Sequence, residues 1–514
     1  MRLVAAAATL VAAAAVLPLV YLLVRAGGAS ADAWDTLLDD RTALLVWRTA
    51  LLVAVVTAGA VLLGVGLAWL VERTDVPGRR VLAVAAALPL VVPSYVTALA
   101  LLAAFGPGGL VSAGDWVFGL PGAALALVLA TYPYVYLLCA AGLRRMDPAL
   151  EEAARTLGRT RAAVFRQVTL PVLRPSIAGG AVLVALYALS DFGVVSLMRY
   201  DALTRAVFTQ YRSLFDRTPA ALLGLVLVAL TVVVLVLEAR SRGRGRVRRS
   251  AAGADRPAQR VALGRWRWPA AVAGWGAVAV ALLVPVGVLL GWSLRDAAEH
   301  PSFGDLAGWT GSSLLGSGLA AVVAMAAALP VAVLATRRPG RVSAVLERAT
   351  YASNALPGIV IALSLVFFAT RVAEPVYQTL ALLVFAYVVR FLPQALAGAH
   401  GALVRVDPEL ERAARGLGAS PARVLARVTA PLMAPGLLAG ATLVFLSTMK
   451  ELPVTLLLRP IGFDTLATEV WTATGVSAYG TAAYPALALI AISIPVVWTL
   501  QVRPRGDART DLQE

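Results

Sequence analysis

The chain has 514 residues, of which 60% are hydrophobic and 14% charged, and its formal net charge is +16. This apolar excess excludes an ordinary soluble globular protein and predicts an all-α polytopic membrane protein. In such a chain a basic excess retains loops on the cytoplasmic side, so we expect the lipid bilayer as a partner and no nucleic acid. The single cysteine, Cys139, excludes an internal disulfide.

Twelve apolar stretches are long enough to cross a hydrocarbon layer of about 30 Å, which takes roughly twenty helical residues. The first six centre on Leu3–Val24, Ala50–Val71, Val81–Phe105, Ala123–Ala141, Ile177–Leu197 and Ala220–Leu237. The second six centre on Ala271–Leu290, Ser313–Leu334, Tyr351–Thr370, Thr379–Leu396, Leu437–Leu458 and Ala482–Leu500. We therefore predict about 12 transmembrane helices in two sets of six.

The first apolar run also has features of a cleaved signal peptide. Ala29-Ser30-Ala31 resembles a signal-peptidase site, and Arg2 precedes the run. The apolar part is, however, longer than the roughly 7–15 residues of a signal sequence. We therefore expect this run to be retained as a transmembrane helix.

Arginines concentrate in alternate connections between the predicted helices. The segments 144–174, 240–267 and 405–427 belong to this set, and the intervening connections are sparser in arginine. The positive-inside tendency then predicts that both termini and all three segments lie in the cytoplasm. Because each half has an even number of helices, both halves have the same orientation, and the repeat is parallel.

The composition changes between the two halves. We assign residues 1–238 to the first half, 239–268 to a basic cytoplasmic linker, 269–503 to the second half and 504–514 to a cytoplasmic tail. Low hydrophobicity, many glycines and charge of one sign predict that the linker is disordered. It could also lie on anionic lipid head groups.

One charged segment, residues 146–171, returns after a constant offset of 260 residues. Asp147 is placed to cap a short helix that begins with proline, and Gly158 is placed to end it. Thr160 can cap a second short helix, which we expect Pro171 to end before the next membrane span. The matching residues of the second copy, 406–431, are Asp407, Gly418, Ser420 and Pro431.

The simplest alternative is that each segment merely joins two membrane helices. A connection needs far fewer residues, and it would not require the same caps, small-residue stripe and glycine twice. We therefore predict that the two segments dock on a soluble cytoplasmic partner that has two matching sites.

The repeated segment resembles the EAA loop, Glu-Ala-Ala-x-x-x-Gly followed by Leu-Pro, of permease subunits of binding-protein-dependent ABC importers. In the second copy Arg412 stands where the motif has glutamate, and Ala430 replaces the leucine. In that family the loop forms the coupling helix, which sits in a cleft of the ATPase. The substitution at Arg412 predicts that the two sites are not engaged identically. The resemblance assigns ATPase coupling to Glu151, Glu152, Ala153, Ala154, Gly158, Glu411, Arg412, Ala413, Ala414 and Gly418.

The energy source must be another subunit. A P-loop needs a lysine, and Lys450, the chain's only lysine, lies in an apolar run. The resemblance implies two copies of a cytoplasmic ABC ATPase that binds ATP and magnesium, a periplasmic or lipid-anchored solute-binding protein, and a bacterial plasma membrane. For this chain we expect no catalytic residues, no bound cofactor and no metal site, because His300 and His400 lie on opposite sides of the membrane. It is then not an enzyme.

Two other classes fit parts of the pattern. An ion-coupled secondary transporter would also have twelve helices in two halves, but it would not need paired docking segments. A membrane-embedded transferase would need a polar catalytic cluster at one membrane face, and the sequence contains no convincing one.

Asp191, Lys450 and Glu451 are charged residues inside predicted spans, where charge is costly and usually faces a cavity or a partner. Asp191 and Glu451 are related by the same 260-residue offset, so they are expected at equivalent positions of the two halves. We predict that Asp191, Lys450 and Glu451 line the translocation pathway. The alternative is that Lys450 and Glu451 neutralise each other or lie near the interface with solvent.

The surroundings of these residues indicate the cargo. Residues 449–467 and 191–196 resemble the two halves of ferric-iron importer permeases, in which fused double permeases are frequent. Ferric iron is therefore our first expectation. Permeases for thiamine, polyamine, sulfate or phosphonate share the loop and remain alternatives.

Proline and glycine lie inside the third predicted span of each half, at Pro89, Pro93 and Pro357-Gly358. Freed backbone groups there could line a cavity or form a hinge, or the helices could simply be kinked. Three tyrosines, Tyr132, Tyr134 and Tyr136, offer either oxygen contacts to a hard cation or aromatic packing.

Overall fold

A computed structural model describes residues 2–35, 37, 39–111, 114–212, 218–241, 260–295 and 300–502. Its secondary structure is helical, apart from one isolated bridge between Thr74 and Val261. The all-α class is therefore confirmed. Residues 242–259 of the predicted linker and the predicted tail lie outside the described part.

The first half contains twelve described α-helices. They are α1 (Arg2–Gly27), α2 (Ala31–Asp35), α3 (Asp40–Arg73), α4 (Arg79–Ala85), α5 (Ser94–Phe105), α6 (Leu120–Arg145), α7 (Pro148–Thr156), α8 (Arg161–Val164), α9 (Leu170–Ser190), α10 (Gly193–Leu197), α11 (Leu203–Tyr211) and α12 (Thr218–Ser241). Short 3₁₀-helices occur at Leu88–Val91 and Asp115–Val117, and a π-helical turn occurs at Phe165–Thr169.

The second half repeats this order among the described residues. Its helices are α13 (Arg267–Val278), α14 (Val284–Arg295), α15 (Phe303–Arg337), α16 (Arg341–Ala352), α17 (Gly358–Val372), α18 (Leu380–Val404), α19 (Pro408–Gly416), α20 (Pro421–Val424), α21 (Ala430–Met449), α22 (Pro453–Leu458), α23 (Leu466–Gly475) and α24 (Tyr479–Val502). The 3₁₀-helices are Gly264–Trp266, Ser353–Ala355 and Glu374–Val376, and the π-helical turns are Ala279–Leu283 and Leu425–Thr429.

Within the described residues, ten helices are long and apolar enough to cross a membrane, and two bent helix pairs raise the number to twelve. The pairs are the predicted third spans. Arg79–Val91 and Ser94–Phe105 meet at 92°, and Arg341–Ala355 and Gly358–Val372 meet at 104°. The prediction of about 12 transmembrane helices is confirmed, but these two are broken rather than continuous.

Proline causes both breaks. Val92, before Pro93, has φ −82° and ψ 121°, and Leu356, before Pro357, has φ −97° and ψ 114°. A proline ring disfavours the helical conformation of the preceding residue and provides no N–H for the helix. The chain therefore leaves the helix and restarts at a new angle, which frees backbone carbonyls near the break.

The predicted fifth spans, Ile177–Leu197 and Leu437–Leu458, are wrong at their C-terminal ends. Helix α9 ends at Ser190 and α21 at Met449, and a separate short helix follows each. Asp191 has extended backbone angles and accepts a hydrogen bond from the Val194 N–H at 2.8 Å. A carboxylate that caps a new helix is what interrupts the apolar run.

Glycines let the fourth and fifth spans of each half approach closely. A Cβ on Gly180 of α9 would lie 2.8 Å from the Val135 Cα of α6. In the second half a Cβ on Gly398 of α18 would lie 2.7 Å from the Gly440 Cα of α21. Such backbone contact is a common way for membrane helices to pack.

The first membrane span of each half, α1 or the continuous α13 and α14, packs on the other half. Helix α1 contacts α15, α16 and α17, and Tyr21 meets Phe368 edge to face at 5.6 Å. Helix α14 contacts α5, where Trp292 Nε1 donates to the Ala103 carbonyl at 2.9 Å. These two contacts join the halves through their first membrane spans. One of the spans is α1, the helix that we distinguished from a signal peptide.

Candidate functional site

The first repeated segment begins as the sequence predicts, with a capped helix, a glycine turn and a second helix. Asp147 Oδ1 accepts a hydrogen bond from the Ala149 N–H at 2.9 Å and caps α7. Gly158 has φ +76°, a left-handed conformation that glycine adopts at little cost. Thr160 Oγ1 then accepts from the Ala163 N–H at 3.3 Å at the start of α8. The predicted helix, glycine turn and second helix are confirmed.

The second segment has the same construction. Asp407 Oδ1 accepts from the Glu409 N–H at 2.9 Å, and Gly418 has φ +81°. Ser420 Oγ accepts from the Arg423 N–H at 3.4 Å. Positions that are 260 residues apart therefore form the same capping hydrogen bonds as well as having similar residues.

The prolines do not end the second short helix of either segment, contrary to our prediction. A π-helical turn, Phe165–Thr169 or Leu425–Thr429, leads straight into α9 or α21. A proline ring normally clashes with the carbonyl four residues earlier. The wider π-helical turn directly before Pro171 or Pro431 accommodates the ring, so the helix continues.

One glutamate anchors each segment to the membrane domain. Glu151 Oε1 accepts from the Thr169 hydroxyl at 2.8 Å and lies 3.7 Å from Arg73 Nε. In the second half Glu411 Oε1 accepts from the Thr429 hydroxyl at 3.0 Å and from Arg337 Nη2 at 2.9 Å. The sequence did not identify these arginines, although Arg73 and Arg337 each end the second membrane helix of their half.

The motif positions themselves point away from the protein. Glu152 and Arg412 are both exposed, and Arg412 Nη1 pairs with Glu409 at 2.6 Å on the surface of α19. Leu157 and Leu417 next to the glycine turns are 81% and 90% exposed. Each segment therefore presents an apolar tip and a polar helix face, and the two copies differ in charge there.

Asp191 is held within the first half. Its Oδ2 accepts a hydrogen bond from the Ser94 hydroxyl at 2.6 Å, and Tyr187 donates to Ser94 at 3.0 Å. Ser94 begins α5, directly after the break at Pro93. The break thus supplies the hydroxyl that binds the buried carboxylate.

Glu451 and Lys450 have separate partners. Glu451 Oε2 lies 4.0 Å from Arg390 Nε, and Arg390 Nη1 donates to the Leu356 carbonyl at 2.7 Å. Lys450 Nζ donates to the Leu90 carbonyl, which belongs to the broken helix of the opposite half. Among the described residues, Lys450 and Glu451 form no ion pair with each other.

Two adjoining cavities bring these residues together. The larger, about 580 Å³, extends from Lys450 and Glu451 to Arg144 at the end of α6 that we predict to be cytoplasmic. The smaller, about 230 Å³, also includes Asp191. All three predicted pathway residues thus line cavities between the halves. In the described part of the chain, no three His, Cys, Asp or Glu side chains lie together as a metal-binding group.

The opposite side of the cavities is closed by contacts between the halves. Phe192 stacks at 5.0 Å on Trp471, and a Cβ on Gly193 would lie 3.3 Å from Leu452 Cδ2. The residues that follow the two carboxylates therefore pack against each other.

Sequence reasoning missed several cavity residues. Arg390 lies inside a predicted span, so the rule that selected Asp191 would also have found it. Tyr187 and Gln394 also line the cavities but have no distinctive local pattern. Of the three tyrosines singled out, Tyr134 lines both cavities and Tyr136 lines the larger one, whereas Tyr132 is buried in the packing.

Comparison with known families gives the class of this molecule. A family model described as "Binding-protein-dependent transport system inner membrane component" matches residues 60–244 and 325–502. The chain belongs to this family and carries two copies of its unit. It is therefore a multi-pass permease rather than an enzyme, and the resemblance that we drew from the repeated segment is confirmed.

Individual relatives extend this result. The chain is 32% identical over 488 residues to the Fe(3+)-transport system permease protein FbpB 2 of Haemophilus influenzae, which covers 93% of this chain and 94% of the relative. It is 26% identical over 454 residues to the probable ABC transporter permease protein y4fN of Sinorhizobium fredii, covering 80% and 79%. The molybdenum permease ModB of Escherichia coli is 36% identical over 158 residues, covering 29% of this chain and 69% of ModB.

Proposed function

We propose that this chain forms the membrane pathway for ferric iron in an ATP-driven importer. The observation that carries the proposal is the similarity to a ferric permease along nearly the whole chain, across both halves. The matches to molybdenum and sulfate permeases are confined to 29% and 41% of the chain. Iron is therefore favoured over these cargoes.

The partners follow from the two repeated segments. We propose that each segment docks on one of two copies of a cytoplasmic ATPase, which binds ATP and magnesium, and that a solute-binding protein delivers cargo on the other side. Closure of the ATPase pair would move α7 and α19, and the π-helical turns transmit that movement into α9 and α21. Both chain termini are then cytoplasmic.

Sulfate or another oxyanion is the second candidate. Lys450, Arg390 and Arg144 place three cations in the wall of the larger cavity, which suits an anionic cargo. Their charges are partly balanced by Glu451 and Asp191 in the adjoining cavity. The charge of the wall alone therefore does not outweigh the similarity to a ferric permease.

Uptake into proteoliposomes tests the proposal. The permease is reconstituted with its ATPase and binding protein, and radioactive ferric iron, sulfate, molybdate and thiamine are offered separately. We expect ATP-dependent, saturable uptake of iron alone. ATP-dependent uptake of sulfate or molybdate without iron would replace the cargo assignment, and uptake driven by an ion gradient without ATP would overturn the importer class.

A further inference from the structure

A basic cavity lies between the two halves, away from the pathway. It has a volume of about 410 Å³ and is lined by residues 75–81 of the first half and by Arg260 and Arg267 ahead of and within α13. Two further arginines, Arg79 and Arg80, belong to the first-half segment. The cavity thus contains four guanidinium groups and one carboxylate, that of Asp75.

Contacts across the halves fix the walls of this cavity. The Val261 N–H donates to the Arg73 carbonyl at 2.8 Å, and the Leu263 N–H donates to Asp75 Oδ1 at 2.9 Å. On the other side Trp275 packs on Gly78, where a Cβ would lie 3.2 Å from the indole ring. The cavity is therefore formed before any ligand binds.

The four arginines outnumber the one carboxylate of the cavity, that of Asp75. Over the residues that the structure describes, Arg79, Arg80, Arg260 and Arg267 form no ion pair, and Asp75 is occupied by the Leu263 N–H. Like charges that share one cavity repel each other, and an anion placed among them removes this repulsion. Guanidinium groups match phosphate geometry particularly well.

Tryptophans indicate the depth of the cavity relative to the bilayer. Trp266 and Trp268 alternate with Arg265 and Arg267 and are 62% and 70% exposed. Exposed tryptophans beside a membrane helix lie at the level of the lipid head groups. The cavity therefore lies at the same depth as the phosphates of the lipid head groups.

We propose that this cavity binds the phosphate of an anionic phospholipid from the cytoplasmic leaflet. Arg79 and Arg80 bind it from the first half, and Arg260 and Arg267 bind it from the second. Basic pockets between membrane helices on this side are suited to anionic lipid head groups. In the second half Pro339-Gly340-Arg341 matches Pro77-Gly78-Arg79, but Val342 stands where the first half has Arg80.

The position of the lipid has a consequence for coupling. The Arg73 carbonyl accepts the Val261 N–H in the cavity wall, and the Arg73 side chain lies beside Glu151 of the first repeated segment. A bound lipid would hold residues 260–263 against this arginine. It would stabilise the anchor of α7 and leave that of α19 unchanged.

Native mass spectrometry of the purified full-length chain tests the proposal. Phosphatidylglycerol and phosphatidylcholine are titrated separately onto the wild type, the pair Arg79→Gln/Arg267→Gln and the charge-keeping pair Arg79→Lys/Arg267→Lys. Arg338→Gln/Arg341→Gln removes two exposed arginines outside the cavity and is the matched control. We expect one tightly bound phosphatidylglycerol, weakened about fivefold for each arginine replaced by glutamine and retained by the lysine pair and the control.

Three results would overturn the proposal. They are equal retention of the two lipids by the wild type, equal binding of phosphatidylglycerol by the wild type and the glutamine pair, and displacement of the lipid by millimolar inorganic phosphate. The last result would assign the cavity to a free phosphate instead. If the glutamine pair fails to fold, two measurements on the wild type still test the proposal. They are the comparison of phosphatidylglycerol with phosphatidylcholine and the competition with inorganic phosphate.

Discussion

Arg73 Nε lies 3.7 Å from Glu151 Oε1, and both side chains are buried where the second membrane helix meets the first repeated segment. The Arg337–Glu411 pair repeats this contact in the other half at 2.9 Å. Two helices that project from the membrane domain are thus fastened to it by the same ion pair. The glutamate involved is one residue before the position that the motif emphasises.

Replacing Glu151 by glutamine should damage this anchor. Arg73 would remain buried without its counterion, and breaking one side of a buried pair costs roughly 3 kcal/mol or more. We expect a lower midpoint of thermal unfolding in detergent and a loss of ATP-dependent uptake. Glu152→Gln, at the exposed neighbouring position, is the control and should change stability by less than about 0.5 kcal/mol. Equal effects of the two substitutions would contradict the assignment.

The glycine turns give a test of partner contact. Nothing lies within 4 Å of a Cβ placed on Gly158, so the chain itself tolerates a side chain there. Asparagine adopts the left-handed conformation more readily than most residues, and it should preserve the turn. If the ATPase contacts this position, Gly158→Asn should leave stability within about 1 kcal/mol of the wild type and yet lower uptake.

Co-purification of the ATPase with the Gly158→Asn variant separates the two causes. Gly108→Asn, also at positive φ and with nothing within 4 Å of a Cβ but far from the repeated segments, is the control. We expect a weaker complex for Gly158→Asn alone. A normal complex and normal uptake in that variant would remove Gly158 from the docking surface.

Much of this architecture was predictable because it depends on local patterns. Run length predicted the membrane helices, and Asp147, Gly158 and their counterparts predicted the repeated segments. The breaks at Asp191 and Glu451 were missed because a 20-residue apolar run has the same hydropathy whether the helix continues or ends and a new one begins. A capping hydrogen bond decides between the two, and hydropathy does not report it.

The site was predictable only in part, because its other residues are distant in sequence and are brought together only by the fold. Charge inside a span identified Asp191, Lys450 and Glu451, and it would equally have identified Arg390. Ser94 and Tyr187 are ordinary residues until the fold places them beside Asp191. Arg73 likewise acquires its role only from the distant Glu151.

Gly358 should be sensitive to a single methyl group. A Cβ there would lie 2.6 Å from Glu451 Oε1, which must then move away from the Val454 N–H. Overpacking of this kind costs about 1–3 kcal/mol, so Gly358→Ala should lower the thermal midpoint and perturb uptake. Gly318→Ala in α15, where nothing lies within 4 Å, is the control and should be neutral or stabilising. An unchanged midpoint for Gly358→Ala would show that Glu451 is not confined there.

Lys450 should be required for transport rather than for insertion. It donates to the Leu90 carbonyl of the opposite half, so it connects a pathway residue to the broken third span. Loss of a hydrogen bond from a charged donor costs about 1.5–3 kcal/mol, so Lys450→Met should weaken this contact between the halves and lower uptake. Lys450→Arg retains the charge and should recover part of the rate. Wild-type uptake by Lys450→Met in proteoliposomes would refute this role.

Arg412 makes the two repeated segments unequal at a position that the fold does not use. Its side chain is exposed, as is that of Glu152 in the first copy, so exchanging the charges should hardly change stability. We expect Arg412→Glu to alter the affinity for the ATPase, because we propose that the ATPase docks on this face. Glu152→Arg should have an effect of different size. It leaves arginine at this position of both segments, whereas Arg412→Glu leaves glutamate at both. The measurement is ATPase binding to each variant and to the double exchange, at low and high salt. Identical binding by all of them would mean that the difference in charge between the two segments has no role in docking.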